Sequence, residues 1–299
     1  MDVLAVTVAL FFGGLLLGLA FVLTVPRVLD RALKPDVVYP LYGWHFAVQR
    51  MIARTTNRKF YSDLFGDSSY IVHYLRALGF DLSRVQQTGS NFGTELKHES
   101  PYLSTVGTGT MVSDALSLMN ADYSSTSFRV SRVSIGERNF LGNNIAFPTG
   151  ARTGENCLLA TKVMIPIDGP VRSDVGLLGS PCFEIPRSVQ RDSTFDEELR
   201  GGELGRRLAG KNRHNIATMA LFLMLRWFRL FGVTLIAAAA ATFYDTLGVA
   251  VVAAATVAIL LFGISLSILV ERASLGFRPL KPQFCSCLLY TSPSPRDRS

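Results

Sequence analysis

The sequence predicts a membrane α-plus-β protein, a left-handed parallel β-helix of hexapeptide repeats flanked by transmembrane helices. Three observations predict it. Ile135, Leu141, Phe147, Thr153, Leu159 and Ile165 recur six residues apart, each followed by Gly, Ala or Pro. Val3 to Val25, Leu230 to Tyr244 and Leu247 to Val270 are apolar runs without a charge. Arginines and lysines gather on one side of those runs.

The repeat comes first because it is the most specific. A period of six is neither the 3.6 of a helix nor only the two of a strand. Three six-residue sides close one triangular turn, with the bulky residue pointing into the prism and the small one turning the corner at little steric cost. Ala151, Cys157 and Val163 fall four positions after bulky residues and are small enough for the narrow interior. Stacked turns pair as parallel strands and bury a core that no single turn could bury. Left-handed winding is expected for such hexapeptide coils, against the usual right-handed crossover. Val106, Val112 and Leu118 form an earlier series with the same period but another phase. Asn120 to Arg132 lies between the series and is expected to be a loop or an uneven turn.

The apolar runs come next. The first, within 1–25, is long enough to cross a bilayer, too long for a signal-peptide core, and lacks a basic n-region. The second and third are separated by Asp245 and Thr246, which predicts a tight transmembrane hairpin over 215–270. Arg27, Arg31 and Lys34 follow the first span; Arg200, Arg206, Arg207, Lys211 and Arg213 precede the second; Arg272, Arg278 and Lys281 follow the third. The positive-inside rule then makes 26–214 cytoplasmic. The expected protein is integral to the membrane, with the lipid bilayer as partner and the β-helix on the cytoplasmic side. The net charge of +7 reads as an orientation signal. No basic stripe with interleaved aromatics appears, so no nucleic-acid partner is expected.

Residues 26–88 read as a helical segment. "YGWHFAVQRMIARTTNR" places Trp44, Val48, Met51 and Ile52 on one face and Arg50, Arg54 and Arg58 on another. That suits either an interfacial helix or packing on its own domain. A second helix starts at the N-cap candidates Asp67 to Ser69 and stops at Gly79, with His73 as a packing histidine among apolar neighbours. The β-helix domain is expected over 89–187 and a polar linker over 188–214. Residues 271–286 are expected to open a second module, because Leu280-Lys281-Pro282 echoes Leu33-Lys34-Pro35 just past a membrane exit. Residues 287–299, "CLLYTSPSPRDRS", resemble a translated sequencing adapter, so the chain is read as a fragment. Cys157, Cys182 and Cys285 make no disulfide framework or zinc spacing. His45, His73, His98 and His214 are scattered without a ligand pattern, so no metal site is expected.

Several segments carry a closer resemblance: "VVYPLYGWHF", "LFGDSSYIVHYLRALGFDL", "QTGSNFGTELKHESPYLSTVGTGTMVSDALS", "NADYSSTSFRVSRVSIGERNFLGNN" and "GLLGSPCFEIPRSVQRD". They resemble the C-terminal membrane region of the Pls/PosA-type, polylysine-synthetase-like non-ribosomal peptide synthetases, with a hexapeptide acyltransferase-like module. The resemblance implies tandem modules separated by transmembrane pairs, upstream adenylation and carrier domains, and amide-bond formation. The donor would be an aminoacyl thioester on the phosphopantetheine arm of the carrier, and the acceptor an amine. No cofactor is expected to be bound covalently within this stretch, and oligomerisation stays open. No adenylation motif and no carrier serine motif is visible, so the isolated fragment is expected to be inactive. A membrane-tethered docking scaffold without catalysis, and a hexapeptide acyltransferase using acyl-CoA, are the alternatives.

Attack by an amine needs a base, and histidine has the pKa for it. His98, in "GTELKHESPYL" where the chain enters the coil, is the first candidate. Asp114 is the second catalytic candidate; with Asn120 and Asp122 it would orient His98 or bind a substrate ammonium group. Asn143 and Asn144 are candidates to contact the carrier arm. For the Asn and Asp candidates the alternative is a turn-forming role at coil corners, and for His98 it is an ordinary surface loop residue. Cys157 reads as core, and Cys182 stays undetermined. No GxSxG elbow occurs, so no serine nucleophile is indicated.

Overall fold

The computed structural model describes residues 2–66, 68–82, 87–88, 92–186, 202–274 and 276–277. The chain divides into two units, one formed by Leu17–Ala220 and one by Met1–Leu16 with Leu221–Ser299. In chain order, α1 (Val3–Asp30) is followed by β1 (Val38–Pro40), α2 (Trp44–Thr56), α3 (Lys59–Gly66) and α4 (Ile71–Leu78). The coil then begins earlier than the repeats announce. Its first turn is β2 (Asp81–Leu82), β3 (Gln87–Thr88) and β4 (Lys97–His98), with the short α5 (Phe92–Glu95) between the last two. Segment 26–88 is therefore not only helical: β1, β2 and β3 lie in it, and β2 and β3 pair in parallel with the second turn.

That second turn is β5 (Ser104–Val106), β6 (Met111–Val112) and β7 (Leu116–Leu118). A hairpin of β8 (Ala121–Tyr123) and β9 (Ser127–Val130) follows, and then the third turn, β10 (Val133–Ile135), β11 (Phe140–Leu141) and β12 (Ile145–Phe147). The fourth holds β13 (Leu158–Leu159) and the parallel bridges of Arg152 and Met164. The pairs β2–β5–β10, β3–β6–β11–β13 and β4–β7–β12 make three parallel faces. β14 (Gly176–Leu178) continues the middle face, and β15 (Phe183–Ile185) folds back antiparallel on it to close the coil. The phase break between the two repeat series is the β8–β9 hairpin, which leaves the coil and pairs antiparallel with β1.

Every bulky member of both series is buried: Val106, Val112 and Leu118, then Ile135, Leu141, Phe147, Thr153, Leu159 and Ile165. They stack in columns, Val106 on Ile135 and Val112 on Leu141 on Leu159. Ala151, Cys157 and Val163 form the second buried column set with Val133, Asn139 and Ile145 of the turn before. Asn139 has no exposure, and a bare amide there would be costly. Its Nδ2 donates to Gly136 O at 3.1 Å and Gly154 O at 2.9 Å, and its Oδ1 accepts Cys157 N at 2.6 Å, which ties the third and fourth turns together.

The glycines after the bulky residues have a different reason from the one the spacing suggests. The left-handed backbone falls instead on Arg138 (φ 54°), Asn144 (57°), Asn156 (56°), Lys162 (54°) and Asp174 (57°). These corners stack through backbone bonds such as Asn156 N to Glu137 O at 2.9 Å. Gly136, Gly142 and Gly154 have ordinary φ; a Cβ on them would strike Gly154 O, Ala160 O and Ser173 Oγ of the next level. They are small so that turns can approach, and the corners lie two residues further on.

Beside the coil, α2 presents Val48 and Ile52 to a core of Leu33, Tyr39, Leu103, Ala121, Phe128 and Val130. Trp44 and Met51, expected on the same face, point outward at 69% and 50% exposure. His73 is exposed rather than packed, because Ile71, Tyr74, Leu75 and Leu78 supply the buried face of α4.

Two further helices follow among the described residues, α6 (Gly202–Leu247) and α7 (Val249–Ser274). Spans within α1, α6 and α7 are long and apolar enough to cross a membrane, over Val3–Asp30, Ala209–Leu247 and Val249–Ser274. The expected linker is helical from 202 onward, since α6 runs through it; its earlier part lies outside the described residues. Asp245 and Thr246 are the last turn of α6, and the reversal is at Gly248, φ 56°. In the hairpin, the Phe262 ring fills the space a Cβ on Gly232 would need. The expected second module beyond 277, the adapter-like tail and Asp67 also lie outside the described residues.

Candidate functional site

His98 is part of the prism. β4 pairs with β7 so that His98 stacks on Leu118, the inward position that Phe147 holds one level further. The imidazole is buried, both ring nitrogens lack a hydrogen-bond partner, and the Phe80 ring meets it edge-on at 4.9 Å. Burial pushes its pKa down from 6.5 to about 3, so it is held neutral. A base must reach the proton it takes, and this one faces the interior of its own turn. The placement gives the expected general-base role no support.

The other expected residues are not gathered around it. None of Asp114, Asn120 and Asp122 bonds to the His98 ring, whose nitrogens are unpartnered. Asn120 is fully buried: its Oδ1 accepts Ser100 N at 3.1 Å and its Nδ2 donates to Leu103 O at 3.2 Å. It is a fastener between the coil entrance and the β8–β9 hairpin. Asp122 is exposed and pairs with Arg129 at 3.5 Å. Asp114 is a half-buried corner residue whose carbonyl accepts Asn144 N at 2.9 Å. Asn143 and Asn144 are exposed at that same corner, where Asn144 takes the left-handed conformation. Cys157 is enclosed in the prism, with Sγ donating to Arg172 O at 3.2 Å. Among the described residues no group of His, Cys, Asp and Glu could hold a metal ion.

A polar cluster does form one residue away from His98. The half-buried Glu99 lies in the bend just past β4 and carries its carboxylate to the start of the β8–β9 hairpin. The side chain of Asn57, at the C-terminus of α2, fixes this stretch: its Nδ2 donates to His98 O at 2.7 Å and its Oδ1 accepts His98 N at 3.4 Å. Glu99 Oε2 accepts Ala121 N at 2.6 Å. Burial raises the pKa of this carboxyl, against the pull of that backbone bond and of the nearby Arg50 charge. Tyr123 OH, on the hairpin, donates to Gln49 Oε1 at 3.2 Å. Its pKa is raised by burial and then by Glu99, and lowered by bonds to Arg50 and Gln49. Gln49 is buried, and its Nε2 is an unspent donor. Glu99, Tyr123, Arg50 and Gln49 thus come from the coil entrance, the hairpin and α2. Sequence reasoning named His98 and not its neighbour Glu99, because only the pairing of β4 shows that His98 faces the interior.

Arg50 also borders a cavity of about 570 Å³ whose other walls include Phe21, Phe46, Met51, Arg54 and Arg58. Phe46 joins it to the cluster, edge-on to Tyr123 at 6.5 Å. The arrangement places a half-buried carboxyl, a cation and a phenol together at the side of the coil. Such a set can take a proton from an incoming nucleophile and steady a developing negative charge.

No protein-family profile and no curated protein matches the sequence. Among solved structures, the chain is similar to a maltose O-acetyltransferase from Clostridium difficile 630 at 16% identity and TM-score 0.40, over 51% of this chain and 93% of that one. It is also similar to a galactoside acetyltransferase in complex with coenzyme A at 14% identity and TM-score 0.36, over 56% of this chain and 92% of that one.

Proposed function

We propose that the chain is a membrane-anchored acyl-transfer module that forms amide bonds from a carrier-bound aminoacyl thioester and an amine, with Glu99 as the base. The observation that carries this reading is the Glu99, Arg50, Tyr123 and Gln49 cluster built onto the entrance of a hexapeptide coil. In this reading the coil winds left-handed on the cytoplasmic side, next to upstream adenylation and carrier domains. The acceptor amine gives its proton to Glu99 and attacks the thioester carbonyl. A C–N bond forms, the C–S bond breaks, and the phosphopantetheine arm leaves as a thiolate that takes the proton back. Arg50 and Tyr123 steady the oxyanion in between.

A prepared aminoacyl-pantetheine thioester bypasses the activation step that the chain has no motif for. Full chain in nanodiscs, given that donor and an amine, should form amide, and Glu99→Gln should slow it roughly 100-fold or more. The rate should fall as pH drops through the raised Glu99 pKa, because only the carboxylate accepts a proton. Unchanged turnover in Glu99→Gln would overturn the assignment. Turnover with acyl-CoA alone would favour the coenzyme A donor, and no turnover with either would leave the scaffold reading.

A further inference from the structure

The cavity beside α2 has a composition that the acyl-transfer reading does not use. Its lining contains three arginines and no carboxylate. Arg50 is engaged with Glu99 and Tyr123. Arg54 and Arg58 are exposed, and among the described residues neither is in an ion pair. The remaining walls are apolar and open: Phe21 is 49% exposed and Met51 50%.

The positions of these residues along their helices are informative. Phe21 belongs to α1, a helix long and apolar enough to cross a membrane, and lies nine residues before its end at Asp30. The uncharged run ends at Val25, only about 6 Å of helix beyond Phe21, which puts Phe21 in the outer hydrocarbon close to the headgroup layer. On α2, Trp44, Ala47, Met51 and Arg54 are exposed at spacings of three and four, so they form one stripe, which the exposed Arg58, just past the end of the helix and on the same cavity, extends. The stripe grades from an indole, a residue favoured at membrane interfaces, to two guanidinium groups that favour phosphate. An open apolar wall beside unpaired arginines, on the flank of a membrane-crossing helix, matches a ligand with both a hydrocarbon and a phosphate.

We propose that this cavity is a binding site for an anionic phospholipid of the surrounding bilayer. Arg54 and Arg58 hold the phosphate and headgroup, and Phe21, Phe46 and Met51 line the first carbons of the acyl chains. Through Arg50 the site borders the Glu99 cluster. The proposal does not depend on the acyl-transfer reading.

Trp44 sits on the stripe and is one of only two tryptophans, the other being Trp227. In a Trp227→Phe background the full chain goes into nanodiscs of phosphatidylcholine with a minority of phosphatidylglycerol, the bromine carried on one lipid or the other. Brominated phosphatidylglycerol should quench Trp44 as if enriched roughly 5- to 30-fold around it, the factor one or two arginine contacts supply. Arg54→Gln with Arg58→Gln should abolish the enrichment and leave the thermal unfolding midpoint in place. Excess inorganic phosphate should not remove it. Equal quenching by the two lipids, or enrichment that survives the double substitution, would overturn the proposal. Enrichment erased by free phosphate would replace the lipid with a soluble phosphate ligand.

Discussion

The upper turns of the coil and the flank formed by α2, β1 and the β8–β9 hairpin are built on opposite principles. From Val133 to Ile165 the chain repeats one solution: a bulky residue inward, a small residue under the next level, a left-handed corner two positions later. The flank repeats nothing. It joins segments far apart in sequence through single polar contacts, Asn57 to His98, Glu99 to Ala121 and Tyr123 to Gln49. The first region has stability spread over many equivalent levels, as stacked repeats do. The second places titratable groups in half-buried surroundings where burial shifts them, the condition under which carboxyls become useful bases. Rigid repetition provides the platform, and the interruption in the repetition gathers the candidate site.

That contrast can be broken from the coil side first. Phe147 has no exposure, and Phe147→Ala should destabilise the full chain by about 3–5 kcal/mol in chemical unfolding, through lost burial and an unfilled cavity. A loss well under 1 kcal/mol would mean the levels are not close-packed. Gly142→Ala should cost about 1–3 kcal/mol although its φ is ordinary, because the new methyl meets Ala160 O of the next level. A neutral result would return the glycines to a corner-turning role.

His98 gives a test by pH. Its folded pKa is about 3 and its ordinary value 6.5, so between these the unfolded chain binds the extra proton. Stability should fall as pH is lowered from 6.5 towards 3, by about 1.4 kcal/mol per unit from this group. His98→Leu, matching its neighbour Leu118, should remove that slope. The smallest effect belongs to the exposed side of the hairpin: Asp122→Asn loses an exposed pair and should change stability by under about 1 kcal/mol. Loss of turnover in that variant would extend the site along the hairpin.

Legibility in the sequence follows the same division. The sixfold spacing predicts the bulky buried residues from Val106 to Ile165, and the phase break marks the stretch, expected as a loop or uneven turn, where the hairpin leaves the coil, because a repeat has a period to read. The first turn was hidden: β2, β3 and β4 are spaced unevenly around α5, and their membership depends on pairing with β5, β6 and β7. The site was hidden for a related reason. His98 and Glu99 are neighbours, and only strand pairing tells which faces Leu118 and which faces Arg50. Asn57, Gln49 and Tyr123 carry no local signal, since each matters only through a partner more than 40 residues away.

The measurement that bears most directly on this division is amide formation by His98→Leu and Glu99→Gln side by side, each shown to be folded by its unfolding transition. If the chemistry belongs to the flank, His98→Leu keeps turnover near that of the unmodified chain while Glu99→Gln loses roughly 100-fold or more. Loss of turnover in His98→Leu with Glu99→Gln unaffected would put the base inside the coil and contradict the account.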